Sequence, residues 1–230
     1  MAIILNIDTS SKHCSVSIAK EGEIIFGMES KSEMDHSSTL APFVEKGMNI
    51  IKKEGLKLDA VGVVIGPGSY TGLRIGLSLA KGLAFSLSIP LIILSSLEIM
   101  AIRAMFVDHN LQGNEIIVAM MDAGRMEVYA GVYDLYLKKI KEEEPVILEK
   151  STFDFLKDKE RVLFVGDGSL KYKEIYPYEN AVWIGGLMPH AKYMATLSEL
   201  KFRNNNFADL AYVTPRYLKE YKAIKSSYKW

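Results

Sequence analysis

The chain has 230 residues, a mass of 25.8 kDa and equal numbers of basic and acidic side chains, 28 of each. Its composition is 49% hydrophobic and 24% charged, which excludes an intrinsically disordered chain, and its zero formal charge argues against a protein that binds nucleic acid through charge alone. A single cysteine, Cys14, excludes an internal disulfide and a cysteine-based zinc site, so a reducing cytoplasm is the expected compartment.

Neither a secretion signal nor a membrane span is expected from the sequence. The residues before Asp8 contain no basic leader and reach a carboxylate early, which argues against a signal peptide. The most apolar stretch, residues 82–97, is shorter than the ~20 residues that a spanning helix needs, and Pro90 interrupts it. We therefore expect a soluble protein with no membrane association.

The first half of the chain predicts three strands and then an alternation of helices and strands. Apolar runs and alternating patterns give the strands, and apolar residues three or four positions apart give the helices. Ser37 or Ser38 is the expected N-cap of the first helix, with Pro42 in its first turn, and Ser95 with Glu98 forms a capping box for the third. The predicted strands are residues 2–8, 14–19, 23–28, 60–65 and 91–94, and the predicted helices are residues 38–54, 72–87 and 95 to about 107.

The second half repeats this order. A strand over residues 139–148 is expected at a sheet edge or in a broken form, because three consecutive glutamates and Pro145 lie within it. Pro189 is expected at the start of the last helix. The predicted strands are residues 116–121, 127–133, 139–148 and 162–165, and the predicted helices are residues 151–156, 169–176 and 188–200.

Two segments of the first half have counterparts in the second. An apolar strand that ends in Asp8 corresponds to one that ends in Asp122, and the Gly66-Pro-Gly loop corresponds to Gly166-Asp-Gly. The repeat predicts an α/β protein with two tandem β-β-β-α-β-α halves and a cleft between them. We place the halves at residues 1–108 and 109–230, with the last helix a candidate to return to the first half.

The turn after the first strand is a candidate phosphate site. Asp8, Thr9 and Ser10 offer a carboxylate, two hydroxyls and backbone N–H groups, and hairpin turns of this kind can hold a phosphate or a metal-bound phosphate. The alternative is turn chemistry alone, because all three residue types favour turns.

The stretch from Gly66 to Gly76, between a buried strand and a helix, is the richest in candidate ligand-binding features. Its glycines allow close approach of a ligand or backbone, a helix N-terminus favours an anion, and Ser69, Thr71 and Arg74 add two hydroxyls and a positive charge. The spacing matches neither a Walker A loop nor G-x-G-x-x-G, and a tight strand-to-helix turn is the alternative. The candidate phosphate-binding residues are therefore Asp8, Thr9, Ser10, Gly66, Gly68, Ser69, Thr71 and Arg74.

The helix that follows this loop carries a stripe of small residues, Gly72, Gly76 and Ala80, at four-residue spacing. Small residues allow two helices to cross closely, and a helix that is apolar on most sides is buried. The helix is therefore either enclosed within its own domain or partly covered by a partner.

The sequence contains no evident catalytic or metal-binding constellation. The histidines lack paired ligand spacing, and no G-x-S-x-G nucleophile elbow occurs. Glu33, Asp35 and His36 are interpreted as a polar loop before the first helix, with ligand contact as the lesser alternative. The four histidines are His13, His36, His109 and His190.

The last residues, from Arg216 onwards, interleave basic and aromatic side chains. A solvated terminal helix is the favoured interpretation, and contact with an RNA backbone or a partner protein is the alternative. The basic residues are Lys219, Lys222, Lys225 and Lys229, and the aromatic residues are Tyr217, Tyr221, Tyr228 and Trp230.

Taken together, these motifs resemble the TsaB family, the small bacterial subunit of the machinery that makes threonylcarbamoyladenosine in tRNA. The resemblance covers nearly the whole chain, and its most specific part is the long glycine motif. The matching segments are residues 7–10, 36–42, 66–76, 80–84, 96–98, 121–129, 166–168 and 215–218.

The resemblance implies an actin/Hsp70/sugar-kinase-like fold and a role beside the larger paralogue TsaD and the ATPase TsaE. Together these proteins transfer a threonylcarbamoyl group from its AMP adduct to the tRNA adenosine 3′ of the anticodon, with TsaD catalytic and TsaB a scaffold. This chain is expected to need no cofactor, apart from weakly bound ATP or ADP at the complex interface. The resemblance also implies a helix-bundle interface for TsaD, or for a homodimer when TsaD is absent, which we assign to Leu40, Phe43, Gly72, Gly76, Ala80 and Leu83.

The catalytic paralogue carries metal-binding histidines in an Asn-His-x-Glu-x-His context. Aligned on Glu98, those histidine positions fall on Ser96 and Met100, and a hydroxyl and a thioether do not replace two imidazoles on iron or zinc. We therefore expect no bound metal and no catalytic residue in this chain. The alternatives are a small ATPase or kinase that uses Asp8 and the glycine loop and, with less support, a glycoprotease-like peptidase.

Overall fold

Two five-stranded mixed sheets with the same strand order form the framework of the protein. The computed structural model describes residues 2–30, 36–175 and 179–219. Within these ranges, no helix combines the length and the hydropathy needed to cross a membrane.

The first sheet is built from the N-terminal half. Its central strand β1 (Ile3–Asp8) is antiparallel to β2 (Ser15–Lys20), which pairs with β3 (Glu23–Glu29), and parallel to β4 (Ala60–Gly66), which pairs with β5 (Leu91–Ser95). The strand order is therefore β3-β2-β1-β4-β5. Three helices, α1 (His36–Lys53), α2 (Tyr70–Leu87) and α3 (Ser96–Val107), follow β3, β4 and β5.

The second sheet repeats this arrangement. Its central strand β6 (Ile116–Asp122) is antiparallel to β7 (Glu127–Asp134), which pairs with β8 (Lys139–Ile147), and parallel to β9 (Val162–Val165), which pairs with β10 (Ala181–Ile184). The order β8-β7-β6-β9-β10 matches the first sheet strand for strand. Helices α4 (Ser169–Ile175) and α5 (Ala195–Arg203) follow β9 and β10. The predicted α/β class and the tandem duplication are confirmed.

The ends of two predicted helices differ from the structure. Helix α1 already includes His36, so Ser37 and Ser38 lie inside it rather than at its N-cap, and Pro42 lies in the second turn on the exposed side. The last helix starts at Ala195 and not at residue 188, because the residues after Pro189 first form a 3-10 turn over Ala191–Met194. His190 caps that turn through its Nδ1 atom, which accepts a hydrogen bond from the backbone N–H of Lys192 at 3.0 Å.

Three further elements of the second half refine the sequence prediction. Strand β10 was not predicted, although its four residues, Ala-Val-Trp-Ile, form a short apolar run. The helix predicted over residues 151–156 is reduced to a 3-10 turn at Asp154–Leu156, and α4 matches its prediction up to Ile175, beyond which residue 176 lies outside the described ranges.

Helices cover both faces of the first sheet, which explains why β1 is apolar on both sides. Leu5 and Ile7 pack in a layer with α1 and α2, whereas Ile4 packs on the other side with α3 and α5. Helix α3 lies between the two sheets, so that Ile99 contacts the layer under the first sheet and Met100 contacts the layer under the second. The two halves therefore share a core through α3, and the division of the chain at residue 108 stays a prediction.

The small-residue stripe of α2 faces the inside of the protein. A Cβ atom added to Gly72 would lie 2.2 Å from the carbonyl oxygen of Thr9, and one added to Gly76 would lie 2.2 Å from Thr9 Oγ1. Ala80 is fully buried. The stripe does allow close packing, but its neighbour is the turn after β1, which corrects the expectation that the stripe faces a partner.

The other residues assigned to a partner surface are also enclosed to a large extent. Leu40 is buried, and Phe43 and Leu83 are half-buried against the same core as β1. The exposed side of α2, called here the outer α2 face, carries different residues, and its Phe85 is 79% exposed. The outer α2 face consists of Thr71, Ser78, Gly82, Phe85 and Ser86, and exposed Arg74 lies next to it.

The two glycines of α2 give a matched test of this orientation. We expect Gly76→Ala to lower the free energy of unfolding by at least about 1 kcal/mol, because the new methyl group overpacks against Thr9. We expect Gly82→Ala to raise it by up to about 1 kcal/mol, because a Cβ there meets open space and alanine favours the helix. Thermal or urea unfolding measures both, and equal effects of the two substitutions would contradict the inward orientation of Gly76.

Candidate functional site

The turn after β1 is closed within the protein. Asp8, Thr9 and Ser10 are almost completely buried. The Oδ1 atom of Asp8 accepts hydrogen bonds from the backbone N–H of Ser10 at 2.9 Å and from its hydroxyl at 2.6 Å. The Oδ2 atom of Asp8 has no hydrogen-bond partner among the described residues. The carboxylate is therefore fixed by its own turn and does not face solvent.

The glycine loop closes the turn from the other side. The backbone N–H of Ser69 donates to the carbonyl oxygen of Ser10 at 2.7 Å, and a Cβ atom on Gly68 would lie 2.2 Å from that same oxygen. Thr9 Oγ1 donates to the carbonyl oxygen of Gly72 at 2.7 Å. Groups that would face a phosphate in an open site bind each other here.

The predicted phosphate-binding set is therefore only partly assembled. The structure brings Asp8, Thr9 and Ser10 against Gly68 and Ser69, as expected from the sequence, but leaves no solvent-facing carboxylate between them. Ser69 uses its hydroxyl as the N-cap of α2, where it accepts from the N–H of Gly72 at 3.2 Å.

Three residues of the predicted set lie away from the closed turn. Gly66 is buried against the carbonyl oxygen of Arg216 and the side chain of Leu73. Thr71 and Arg74 are exposed on α2. The carboxylate and the charged arginine of the predicted site thus belong to different surroundings.

The positions aligned with metal ligands in the catalytic paralogue are filled by packing. Ser96 is buried, and its hydroxyl donates to the carbonyl oxygen of Pro67 at 2.5 Å. Met100 is also buried, and its methyl group packs so closely on Gly166 that a Cβ atom added to this glycine would lie 2.2 Å from it. Helix α3 therefore links the glycine loop of each half. Within the described residues, no three His, Cys, Asp or Glu side chains are grouped to hold a metal ion.

The histidines are dispersed in space as they are in sequence. Buried His36 lies beside Gly72, and its Nε2 atom is 2.9 Å from the carbonyl oxygen of Ser11. The Nε2 atom of His190 lies 3.5 Å from a carboxylate oxygen of Glu29. Burial lowers the pKa of His190, which disfavours the charged form that an ion pair with Glu29 would need. Glu33 and Asp35, the other members of the predicted polar loop, lie outside the described residues.

A buried polar cluster joins the two halves and was not predicted from the sequence. Glu143 of β8 is 8% exposed; its carboxylate accepts from the hydroxyl of Tyr133 at 2.7 Å and from that of Ser95 at 2.8 Å, and it forms an ion pair with Arg216. Burial raises the pKa of Tyr133 well above its usual range, so its hydroxyl remains a donor. Local patterns in the sequence do not show that a C-terminal arginine reaches a strand of the second sheet.

The C-terminal segment runs across the glycine loop and α2. The backbone N–H of Arg216 donates to the carbonyl oxygen of Ile65 at 2.7 Å, and Lys81 donates to the carbonyl oxygen of Val213 at 3.2 Å. Lys219 forms an ion pair with Glu127 of β7. Residues 213–219 contain no helix, which corrects the expected terminal helix over its described part; residues 220–230 lie outside the described ranges.

The second half keeps an open counterpart of the closed turn. Asp122 occupies the place of Asp8 in the repeat, and it is exposed. Its Oδ1 atom lies 2.5 Å from the ammonium of Lys171 and accepts from the N–H of Gly124 at 2.6 Å. The N–H of Asp122 donates to Asp167 of the second glycine loop at 2.9 Å.

The two equivalent aspartates have opposite electrostatic surroundings. Burial raises the pKa of Asp8 above its ordinary value, although both hydrogen bonds from Ser10 act in the opposite direction. Partial burial acts in the same direction on Asp122, but the hydrogen bond and charge of Lys171 and the N–H of Gly124 hold its pKa below the ordinary value. The charge on Asp8 is thus unfavourable in the folded protein, whereas that on Asp122 is favourable.

Comparison with known proteins identifies relatives over the whole chain. Residues 30–227 match the family described as "TsaD: tRNA N6-adenosine threonylcarbamoyltransferase". The chain is 32% identical to the tRNA threonylcarbamoyladenosine biosynthesis protein TsaB of Bacillus subtilis, over 99% of this chain and 97% of that protein. It is 27% identical to the TsaB of Haemophilus influenzae, over 94% and 93% of the two chains.

A solved structure with the same fold comes from Pseudomonas aeruginosa. The protein YeaZ of that organism superposes with a TM-score of 0.79 at 29% sequence identity. The superposition covers 95% of this chain and all of the other one.

The two aspartates provide a matched test of the site's electrostatics. Folding raises the pKa of Asp8. The protein therefore loses stability as the pH rises from the pKa of this group in the unfolded chain to its higher pKa in the folded protein. We expect Asp8→Asn to raise the Tm at pH 7 by at least about 2 °C, which is roughly 1 kcal/mol for a chain of this size, and to raise it less at pH 4. Asp122→Asn should lower the free energy of unfolding at pH 7 by less than about 1 kcal/mol, since its ion pair is exposed. If Asp8→Asn instead lowers the Tm, and by the same amount at both pH values, then the ionised carboxylate of Asp8 does not destabilise the folded protein.

Proposed function

Since the chain belongs to the TsaB family and takes part in the formation of threonylcarbamoyladenosine in tRNA, we propose that its role there is that of a non-catalytic subunit. In this proposal a TsaD partner transfers the threonylcarbamoyl group from threonylcarbamoyl-AMP to the adenosine 3′ of the anticodon, and TsaE acts with the pair. The chain holds and activates that partner in the cytoplasm. Contact with tRNA comes through the assembled complex.

The observation that carries this proposal is the packing at the start of α3. Ser96 and Met100 stand where the catalytic paralogue has metal-binding histidines, and both side chains are buried in protein contacts. A buried hydroxyl bonded to Pro67 and a buried thioether offer no replacement for imidazole ligands. The partner therefore carries out the chemistry, and this chain needs no bound metal or nucleotide for its role.

The alternative of a small ATPase or kinase has less support. Such an enzyme would need Asp8 to face a nucleotide or its metal ion, whereas Asp8 is buried behind Ser10 and the glycine loop. Weak binding of ATP or ADP is more consistent with the surface of a complex than with this turn. A peptidase has no support at His36, the buried histidine of this region, because its Nε2 atom lies against a backbone carbonyl oxygen.

We place the partner contact on the outer α2 face together with the exposed side of α1. The small residues Ser78, Gly82 and Ser86 let a partner helix approach, and exposed Phe85 and Ile50 supply apolar area. A stable interface needs roughly 800 Å² from each partner, which two adjacent helices of 18 residues can offer. A second copy of the chain would use the same face when TsaD is absent, so homodimer and heterodimer would exclude each other.

Reconstitution with each protein omitted in turn tests the division of labour. We expect the purified chain alone to form no threonylcarbamoyl-AMP and to incorporate no labelled threonine into tRNA, because the catalytic ligands are on TsaD. Modification should appear with the complete mixture and fall to background when this chain is omitted. Either activity in a preparation of the chain free of other subunits would contradict the non-catalytic role.

Gly82→Arg tests the proposed contact surface. A side chain at Gly82 meets open space in the monomer and arginine is a good helix former, so the Tm should stay at or above that of the wild type. Affinity for TsaD should fall at least ~10-fold, because a bulky charge would be forced between two helices.

Thr196→Arg, at an exposed position of α5, serves as the control for added charge and should bind normally. Calorimetric titration with TsaD measures the affinities, and sedimentation measures self-association. Unchanged binding by a well-folded Gly82→Arg protein would remove the outer α2 face from the interface.

A further inference from the structure

An arginine of the glycine motif lies between two tyrosines on the surface. The guanidinium carbon of Arg74 is 3.9 Å from the ring centroid of Tyr70 and 5.7 Å from that of Tyr217. Its Nε donates to the hydroxyl of Tyr217 at 2.8 Å, and its Nη2 donates to the hydroxyl of Tyr70. The two rings are themselves in contact, with centroids 4.8 Å apart. A long and flexible side chain is thus held in one place although it is exposed.

The charge of Arg74 is not neutralised by the protein. Within the part of the chain that the structure describes, no carboxylate lies within ion-pair distance of it, whereas Arg161, Arg203 and Arg216 each have at least one. The hydroxyls of the tyrosines occupy two of the five N–H groups of the guanidinium, which leaves three to donate elsewhere. A planar group with free donors and a full positive charge suits an oxygen anion, and phosphate is the anion it matches with two parallel bonds.

The chain that continues from this cluster is also basic. Tyr217 belongs to the C-terminal segment, and residues 216–230 contain five basic residues and one acidic residue. This local excess stands against a formal charge of zero for the whole chain. In the structure Arg216 and Lys219 are paired with Glu143 and Glu127, and the other basic residues lie outside the described ranges. The unpaired guanidinium of Arg74 therefore carries the attraction for an anion at this place, and the tRNA of the proposed function is the polyanion available to it.

The cluster borders the proposed partner contact, because Arg74 is exposed on α2 four positions before Ser78 of the outer α2 face. Arg74 and Lys81 both bond to the C-terminal segment, through Tyr217 and Val213. Gly82 and Phe85 lie about two and three turns farther along the helix. Arg74 therefore stands at the edge of the outer α2 face, where contact with a protein partner and contact with a phosphate differ in whether loss of the arginine prevents complex assembly.

We propose that Arg74, held between Tyr70 and Tyr217, is a contact for the phosphate backbone of the tRNA substrate. The inference rests on the proposed function, because the complex supplies the tRNA, and it adds a direct contact from this subunit. The tyrosines position the guanidinium, and its remaining N–H groups donate to non-bridging phosphate oxygens. Such a contact adds affinity without reading sequence.

The test uses the assembled complex of this chain with TsaD and a labelled tRNA, titrated at several salt concentrations. We expect Arg74→Gln to weaken tRNA binding about tenfold, as for loss of a charged hydrogen bond. The slope of log affinity against log salt should decrease in magnitude by about 0.7–0.9, the value for one phosphate contact. Arg74→Lys, which keeps the charge but not the planar fork, should keep the slope and lose part of the affinity.

Lys138→Gln, which removes one exposed positive charge from the second half, is the matched control and should leave both quantities unchanged. Unchanged affinity and slope for Arg74→Gln would overturn the inference. So would loss of complex assembly on gel filtration, since it would show that Arg74 contacts the protein partner. If the wild-type complex binds and modifies tRNA and Arg74→Gln has the same affinity and salt dependence, only this inference fails. If the wild-type complex modifies no tRNA, the proposed function fails.

Discussion

The rest of the structure depends on how closely the turn after β1 approaches α2. The carbonyl and hydroxyl of Thr9 fit against this helix only because Gly72 and Gly76 have no side chains. This contact fixes α2 on the central strand, and the bond from Ser69 N–H to the carbonyl oxygen of Ser10 fixes the glycine loop with it. Helix α3 then attaches to that loop through Ser96 and to the second sheet through its packed core. One close approach at the end of β1 therefore sets the position of the helix that both halves share.

The same close approach explains why the turn after β1 is closed. A strand-to-helix glycine loop can direct its backbone N–H groups to a phosphate. In this protein the N–H of Ser10 binds Asp8, and that of Ser69 binds Ser10. The carboxylate of Asp8 is enclosed at an electrostatic cost, whereas Asp122 at the equivalent position stays exposed and paired with Lys171. The duplicated halves thus differ at this position, because packing closes the turn in the first half and leaves it exposed in the second.

Local sequence patterns were sufficient for most of the fold and for part of the site. Alternating patterns and apolar runs predicted nearly every strand, and apolar residues three or four positions apart predicted the helices. The repeated Asp8 and Gly66 motifs predicted the duplication. All of these signals lie within short stretches of the chain. The orientation of Gly76 was not predictable, since a glycine stripe is the same in sequence whether it packs on a neighbouring turn or on a partner. The bond between Glu143 and Arg216 spans 73 positions of the chain, and no local periodicity reports such a contact. The structure was therefore needed most for two features, the polar contacts between distant parts of the chain and the direction in which the small residues of α2 face.

Helix α2 has different surroundings on its different sides, and the C-terminal segment covers part of it. The glycines face the turn after β1, and the outer α2 face is exposed. Along the border of that face, Arg74 and Lys81 meet residues 213–217, which are anchored where Arg216 binds Glu143 and Ile65. Because Glu143 belongs to the second sheet, the placement of Tyr217 beside Arg74 requires both halves to be in their native arrangement. An exposed arginine is thereby coupled to the whole fold, so that its geometry depends on the contact between the halves as well as on the helix that carries it.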